Sequence, residues 1–525
     1  MSAPFRKTAD EILARLDELR AADAPTHGGH VLSYVYDSGL AELDELAARA
    51  VRAVQPVNGL DPTTFSSVAT LERELIGFVR GLVHGDPAGG RAADGRAADD
   101  QAADDQAQDV VGTITTGGTE SCLLAVKTAR DVWLTVRGLE PGEARPRIVA
   151  PSTVHAAFQK AAHYFGLAID LVPVEYDGAV SAAAIDDRLA DDVALVVVSA
   201  PSYPFAALDP VDEVAPFCLE RGIPLHVDAC IGGLVLPFWP GLPAWDFAVP
   251  GVTSLSADLH KFGYAPKGVS VLLQRGRDRQ RLQYFATTRW PGYPVVNPTI
   301  LGSKSAGPLA AAWAITEALG TEGFAELAES CLRSTQALRT AVDGIRGLRV
   351  VGEPVGPLIA VATDTSVPES ERVDPHHWAD AARASGWVLQ LQPSVTQGDG
   401  SVLPPTTHLT ITPVTESVLA ELVPALVEAA TAVRGVPHVD PASLLGAMQS
   451  IGTLPPLDAL IGGGVLDAEL DSATAWALLQ GFGVGREGGA LPAQLAPLLA
   501  IIEVLPPPIA ERLLIELLAR LVEPA

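Results

Sequence analysis

Residues 254–268 of the sequence read SLSADLHKFGYAPKG and place Lys261 directly after His260, before a turn that contains glycine and proline. The segment 247–252 before this stretch is apolar, and the apolar run 269–273 after it predicts a strand. A lysine between buried strands is hard to explain as a solubilising charge, because burial disfavours the ammonium form. Burial would instead depress the pKa of the amine, which favours its attack on a carbonyl group. We therefore predict that Lys261 forms a Schiff base.

Around this stretch, short apolar runs alternate with helical patterns from residue 110 to about residue 320. Runs of valine, isoleucine and leucine between helices predict an α/β fold whose mainly parallel sheet is covered on both faces. The predicted strands are Arg147–Ala150, Ile169–Val174, Ala194–Ser199, Leu225–Val227, Val252–Ser254 and Val269–Leu273. Ligands of such sheets bind at the carboxyl ends of the strands, so we look for the site there.

The pattern along the chain predicts four segments. Residues 1–109 form an N-terminal helical segment with a low-complexity insertion at about 87–109, and residues 110–320 form the large domain. Residues 321–435 predict a smaller α/β domain, with strands near 348–351, 358–361 and 408–411. Residues 436–525 predict a helical appendage that ends in an amphipathic helix near 509–522.

Composition limits the classes of function. The formal net charge of −27 argues against a nucleic-acid partner. Four cysteines without a CxxC pair indicate reduced thiols and a cytoplasmic location. No run approaches the roughly 18 apolar residues of a membrane span. His27 and His30 flank two glycines, which favours a turn over a metal site, and we predict no metal.

Residues 113–121, TITTGGTES, run directly into a helical pattern. A Gly-Gly-Thr turn at a helix start presents backbone N–H groups, a hydroxyl and the positive end of the helix dipole to one point. Gly118 and Thr119 could therefore hold a phosphate. A tight turn without a ligand is the alternative explanation.

Two further polar residues follow predicted strands. Asp228 ends the apolar strand in residues 224–230, PLHVDAC, where a carboxylate can hold a protonated heterocyclic nitrogen. A helix cap or a core carboxylate is the alternative. His155 follows another strand and could stack on a flat ligand, whereas His163 is more simply structural.

Together these features form an ordered set at strand ends: a phosphate-binding helix start, an aromatic lid, an aspartate and a lysine. Pyridoxal 5′-phosphate requires this set, because it has a phosphate, a flat ring, a ring nitrogen and a carbonyl carbon. We predict that it is the cofactor.

The same residues resemble the pyridoxal-phosphate-dependent group II decarboxylase family, and within it most closely the sphingosine-1-phosphate lyases. The resemblance spans roughly residues 32–435. It is densest at residues 116–121, 155–166, 226–233, 251–261 and 265–268. It implies a fold-type-I, aspartate-aminotransferase-like large domain and a homodimer with active sites at the subunit interface.

The resemblance also implies roles for single residues. Lys261 corresponds to the Schiff-base lysine, His155 to the residue that stacks on the pyridine ring, and Asp228 to the partner of its nitrogen. The residues implied to bind the cofactor phosphate or its surroundings are Gly118, Thr119, Ser256, His260 and, from the other subunit, Ser303. Tyr36 and Lys267 correspond to residues that serve the phosphate end of the substrate and catalysis.

Three stretches of the sequence depart from the lyase pattern. Residues 203–206 read YPFA where lyases typically have Tyr-Pro-His-Gly, so Phe205 replaces a histidine. Residues 289–293 read RWPGY where lyases have Asp-Trp-Pro-Gly-Gly, which introduces Arg289 and Tyr293. Pro56 stands where a histidine is expected. The cofactor site is thus retained while the substrate wall is altered.

The expected function is that of a lyase of sphingolipid metabolism. Such an enzyme cleaves the Cα–Cβ bond of a phosphorylated amino alcohol to an aldehyde and phosphoethanolamine. An amino-acid decarboxylase is the alternative, because the same electron sink accepts the electrons of a Cα–carboxylate bond. A cofactor-binding scaffold without turnover is a second alternative. For both enzymatic alternatives the substrate is a small amine, and an anionic group on it would meet Lys267.

Overall fold

The computed structural model describes residues 6–86, 109–450, 470–484 and 492–524. The predicted low-complexity insertion lies outside these ranges, apart from its last residue. The centre of the fold is a seven-stranded sheet with the strand order β1-β7-β6-β5-β4-β2-β3. Its strands are β1 (Val110–Thr115), β2 (Arg147–Pro151), β3 (Ala168–Val172), β4 (Val193–Ser199), β5 (Leu225–Asp228), β6 (Val252–Ala257) and β7 (Ser270–Arg275).

The sheet is mainly parallel, as predicted. Strands β3, β2, β4, β5 and β6 pair in parallel, whereas β7 pairs antiparallel with both β6 and β1. All six predicted strands are present within a few residues of their predicted bounds. Their parallel direction brings the carboxyl ends of β2, β4, β5 and β6 to one edge of the sheet.

Both faces of this sheet are buried. In β4, Val196 and Val198 pack into one apolar cluster, whereas Leu195 and Val197 pack into another. Because successive side chains of a strand point to opposite faces, each cluster covers one face. The helices of this region are α4 (Gly118–Arg137), α5 (Ala156–Phe165), α6 (Ala182–Asp186), α7 (Val211–Arg221) and α8 (Arg277–Arg281), with 3₁₀ turns at Gly232–Leu234 and Leu236–Phe238.

Three helices precede the sheet: α1 (Ala9–Arg20), α2 (Ala41–Ala53) and α3 (Ser66–Leu82). Thr8 and Glu11 form a capping box at the start of α1, and none of the side chains of this helix is buried. Apolar residues of α2 and α3 share the large core cluster with the first half of α9 (Gly307–Asp343). Helix α9 is interrupted at Gly320 and runs from the large domain to the next one.

A second, antiparallel sheet has the strand order β10-β11-β15-β12. Trp378 is fully buried in its core. The strands after β7 are β8 (Phe285–Thr287), β9 (Val295–Asn297), β10 (Leu348–Val350), β11 (Leu358–Thr363), β12 (Gln390–Gln392), β13 (Val395–Thr396), β14 (Val402–Leu403) and β15 (Thr406–Thr410). The helices are α10 (Pro375–Ala384) and α11 (Thr415–Val433), with a 3₁₀ turn at Glu369–Glu371.

The described part of the C-terminal segment contains four helices and packs on the smaller domain. Its helices are α12 (Pro441–Ser450), α13 (Ser472–Gly481), α14 (Ala496–Val504) and α15 (Pro507–Leu521). Asp380 of α10 accepts hydrogen bonds from the backbone N–H groups of Leu495 and Ala496, both at 2.9 Å, and so fixes the start of α14. In the described part of the chain, no helix is long and apolar enough to cross a membrane.

Candidate active site

A cavity of about 770 Å³ opens at the carboxyl edge of the large sheet. Residues that follow β1, β2, β4, β5 and β6 line it, among them Thr116, His155, Ser199, Asp228 and Lys261. Five strands therefore each contribute a polar group to one space. This arrangement agrees with the rule that ligands of parallel sheets bind at the strand ends.

Lys261 lies at the base of this cavity and pairs with a residue to which the sequence assigned no role. Its Nζ lies 2.9 Å from Oδ2 of Asp258, whose side chain is buried. Burial lowers the pKa of Lys261, but Asp258 leads a group of nearby acidic side chains that together raise it well above the ordinary value. The prediction that the pKa of Lys261 is depressed is therefore wrong for the chain without its cofactor. The sequence did not reveal that the Asp258 carboxylate lies beside the amine.

Asp228 is also buried, and its environment keeps it ionised. Burial alone would raise its pKa, but His155, Lys261 and the side chain of Cys230 lower it below the ordinary value. Oδ1 of Asp228 accepts hydrogen bonds from the Cys230 backbone N–H at 3.1 Å and from the Ser256 hydroxyl at 3.3 Å. A fixed carboxylate that keeps its charge suits a protonated ring nitrogen.

The start of α4, which is predicted to hold a phosphate, lies at the cavity. Gly117, Gly118 and Thr119 line the cavity at the N-terminus of this 20-residue helix. A Cβ atom at Gly118 would lie 2.5 Å from Oδ2 of Asp258, so a larger residue does not fit there. The helix start therefore approaches the lysine–aspartate pair closely, and it offers the backbone N–H groups that bind phosphate.

Glu120 fixes this helix start to a neighbouring loop. Its Oε2 accepts hydrogen bonds from the Thr116 backbone N–H at 2.6 Å and from its hydroxyl at 2.8 Å. Its Oε1 accepts from the N–H of Ile300 at 2.7 Å. Ile300 and Leu301 also line the cavity, so one buried carboxylate positions two of its walls.

His155 and His260 line the cavity from different elements. His155 is the N-cap of α5, where its Nδ1 accepts a hydrogen bond from the N–H of Ala157 at 3.2 Å. Nδ1 of His260 donates to the Val269 carbonyl at 2.8 Å, and burial lowers the pKa of the ring. His260 can therefore donate from Nε2 to a phosphate only when a nearby anion keeps it protonated.

Tyr36 and Lys267 form a pair at the cavity. Nζ of Lys267 lies 4.6 Å from the centre of the Tyr36 ring and donates to the His260 carbonyl at 3.2 Å. Burial and the nearby Lys261 ammonium lower the pKa of Lys267 to about 8, whereas burial raises the pKa of Tyr36 to about 12. Lys267 is therefore a cation whose charge changes near physiological pH.

Two predicted cofactor residues lie elsewhere in the single chain. Ser256 does not line the cavity but lies behind Asp228, where it also contacts His226. Ser303 lies outside the cavity and accepts a hydrogen bond from the Asn58 side chain at 3.4 Å. Its predicted role from a second subunit stays a prediction.

The departures from the lyase pattern also lie away from the cavity lining. Phe205 is buried in the core against Gly178, and Arg289, Tyr293 and Pro56 are exposed. The cavity of one chain thus contains none of the four altered residues.

Further lining residues without a predicted role include Tyr34, Lys160 and Tyr164. Lys160 and Tyr164 are four residues apart on α5, and Nζ of Lys160 lies 5.4 Å from the ring centre of Tyr164. Residues at this spacing share one helix face, so Lys160 and Tyr164 contribute to the same wall of the cavity.

The side chains and backbone groups at this cavity fit pyridoxal phosphate: a lysine for its carbonyl carbon, an ionised aspartate for its ring nitrogen and a helix start for its phosphate. A family model for the pyridoxal-dependent decarboxylase conserved domain matches residues 99–362, which is half of the 525-residue chain. This chain belongs to the pyridoxal-dependent decarboxylase family. A second family model, for a C-terminal domain of pyridoxal-dependent enzymes, matches residues 416–520.

Relatives of this family member include several lyases. Sphingosine-1-phosphate lyase 1 of Rattus norvegicus is 34% identical over 382 residues, which is 72% of this chain and 61% of the rat protein. The enzyme of Dictyostelium discoideum is 35% identical over 359 residues, which is 67% of this chain and 61% of that protein. The match thus spans less than two thirds of the length of these relatives.

Solved structures resemble most of this chain. The sphingosine-1-phosphate lyase of Burkholderia pseudomallei is 29% identical, with a TM-score of 0.72 over 87% of this chain and 97% of that one. The glutamate decarboxylase of Lactobacillus brevis is 18% identical, with a TM-score of 0.68 over 84% of this chain and 96% of that one. The predicted fold class, family and cofactor are confirmed, and the protein is a pyridoxal-phosphate-dependent enzyme.

Proposed function

We propose that this enzyme is a carbon–carbon lyase that cleaves the Cα–Cβ bond of a phosphorylated amino alcohol, releasing an aldehyde and phosphoethanolamine. The observation that carries the proposal is the Tyr36–Lys267 pair beside Lys261. Both residues stand where the lyases have a tyrosine and a lysine for the phosphate end of the substrate and for catalysis. The relatives named as sphingosine-1-phosphate lyases support the same substrate class.

The charges of the cavity favour an anionic group on the substrate. In the described part of the chain, three lysines and no arginine line the cavity, namely Lys160, Lys261 and Lys267. Lysine binds phosphate as a point charge, whereas arginine binds carboxylates and phosphates in a bidentate manner. Lys160 and Lys267 are therefore candidates to bind the proposed substrate phosphate.

The residues at the cavity have separate roles in the proposed reaction. When bound, pyridoxal phosphate supplies an electron sink conjugated with the substrate Cα. Asp228 would keep a proton on the ring nitrogen, because its carboxylate is buried, ionised and fixed by Cys230 and Ser256. Lys261 would hold the cofactor through its amine. Lys267 in its cationic form would bind the phosphate end of the substrate and so orient it.

The substrate class can be tested with a panel. The holoenzyme is incubated with a phosphorylated sphingoid base and, separately, with amino acids, and long-chain aldehyde, phosphoethanolamine and CO₂ are measured. We expect aldehyde and phosphoethanolamine in equal amounts from the first substrate. CO₂ from an amino acid, with no aldehyde from the sphingoid base, would instead assign the decarboxylase function. Lys261→Ala is the control, because it lacks the anchoring amine.

We also propose that the enzyme is a homodimer that shares its active sites. The support is an apolar surface beside the cavity, where Phe285, Val296, Ile300 and Leu301 are each about half exposed or more in the single chain. Light scattering on the purified enzyme tests this proposal. A monomer that retains full activity would contradict it.

A further inference from the structure

A cluster of three side chains of the types that bind metals lies outside the active site. It joins the smaller domain to the C-terminal segment. His376 belongs to α10, His438 follows α11, and Glu503 belongs to α14. One potential ligand atom from each residue lies within 4.8 Å of the other two. The sequence offered no motif for this cluster, because His438 and Glu503 are 65 residues apart.

His376 has a buried nitrogen without a partner. Its side chain is fully buried, and its Nε2 lies 2.8 Å from the Gln392 carbonyl oxygen. A carbonyl only accepts, so Nε2 carries the hydrogen, and the lone pair of the neutral ring is on Nδ1. Nδ1 is buried and has no hydrogen-bond partner. A buried, unpaired acceptor is costly, and a metal ion would satisfy it.

The other two side chains are held from behind. Nδ1 of His438 lies 2.7 Å from Oδ2 of Asp374, which leaves Nε2 facing Oε2 of Glu503 at 3.0 Å. The other oxygen of Glu503 accepts a hydrogen bond from the Ser394 N–H at 2.9 Å. In metal sites, the second nitrogen of a histidine ligand typically bonds to a carboxylate or a carbonyl. Both histidines of this cluster have that arrangement.

We propose that His376, His438 and Glu503 bind a divalent transition-metal ion, with zinc as the best match to two imidazoles and one carboxylate. Zinc takes these ligands at about 2.0–2.2 Å in tetrahedral geometry, with a fourth position for water. To bind zinc in this geometry, the donor atoms must therefore approach one another by roughly 1 Å. The side chain of His438 is 34% exposed, which gives it room to move and gives the ion a path of entry.

The bound ion would fasten α14 to the smaller domain. Glu503 and His438 belong to the C-terminal segment, whereas His376 belongs to a helix of the smaller domain. A metal that binds the assembled site and not the unfolded chain stabilises the folded state by mass action. The site is therefore structural, and its loss should leave the cofactor in place.

Zinc binding by the tag-free holoenzyme tests the proposal. After chelator treatment and dialysis, we expect titration calorimetry to detect about one zinc ion per chain, and zinc to raise the midpoint of thermal unfolding. Glu503→Gln should abolish binding while the visible absorbance of the bound cofactor is unchanged. His377→Gln is the matched control, because His377 neighbours His376 on α10 but lies outside the cluster.

Asp374→Asn provides a second test in case Glu503→Gln fails to fold. Asparagine keeps the N-cap of α10, where Asp374 accepts from the N–H groups of His376 and His377. It removes the carboxylate behind His438, so zinc affinity should fall by roughly 10–100-fold. The proposal is overturned if the wild type binds no zinc, or if it binds zinc no more tightly than Glu503→Gln and Asp374→Asn do. His438 would then be only a hydrogen-bonded bridge between two carboxylates.

Discussion

Gly118→Ala should damage the cofactor site through a single added methyl group. The new Cβ would lie 2.5 Å from Oδ2 and 2.8 Å from Oδ1 of Asp258, and 2.9 Å from Sγ of Cys230. Contacts below 3.0 Å are essentially never made by a Cβ atom, so Asp258 must move by close to 1 Å. Asp258 is buried and pairs with Lys261 at 2.9 Å, so this movement disturbs the anchoring lysine as well.

Overpacking of this kind costs about 1–3 kcal/mol. We expect a lower midpoint of thermal unfolding and a cofactor affinity reduced by roughly 10-fold or more. Gly77→Ala is the matched control, because a Cβ there meets no heavy atom within 4 Å and Gly77 lies inside α3. The same change should stabilise that helix by up to ~1 kcal/mol. Thermal melts and absorbance titrations with pyridoxal phosphate measure both effects. Equal behaviour of the two variants would refute the close approach of α4 to Asp258.

Three further outcomes are expected. Asp228→Asn keeps the hydrogen-bond acceptor but removes the charge, so kcat should fall roughly 100-fold or more while the cofactor stays bound; an unchanged kcat would contradict its role. KM for a phosphorylated substrate should rise as the pH passes about 8, where Lys267 loses its charge. Lys267→Arg should remove this rise, and a pH effect on kcat alone would argue against phosphate binding. Burial raises the pKa of Asp209 from 3.8 to about 7, so the folded state holds a proton that the unfolded state releases. The free energy of unfolding should therefore fall as the pH rises from 4 to 7, by up to about 1.4 kcal/mol per pH unit. Asp209→Asn should abolish this fall if Asp209 causes it.

Strand ends were the part of the site that the sequence could predict. Apolar runs identify buried strands, and the carboxyl-edge rule then brings Thr119, His155, Asp228 and Lys261 together without any knowledge of side-chain positions. The structure places all four at one cavity. The first strand, β1, was not predicted. Its Gly112 interrupts the apolar run, and a Cβ there would lie only 2.8 Å from both Ile76 and Leu273.

Contacts across the chain were the part that could not be predicted. Asp258 stands three residues before Lys261, but only the turn after β6 directs its carboxylate toward the lysine. Glu120 bonds to Ile300 across 180 residues. The sign of the Lys261 pKa shift depends on such contacts, because burial and a neighbouring carboxylate act in opposite directions.

The site assignment rests on which lysine holds the cofactor, and reductive trapping measures this directly. The holoenzyme is reduced with borohydride and digested, and the peptide that carries the cofactor is identified by mass spectrometry. Three lysines line the cavity, so the experiment distinguishes among three possible attachment sites. We predict that the cofactor is found on Lys261. Its recovery on Lys160 or Lys267, with Lys261 unmodified, would contradict the account.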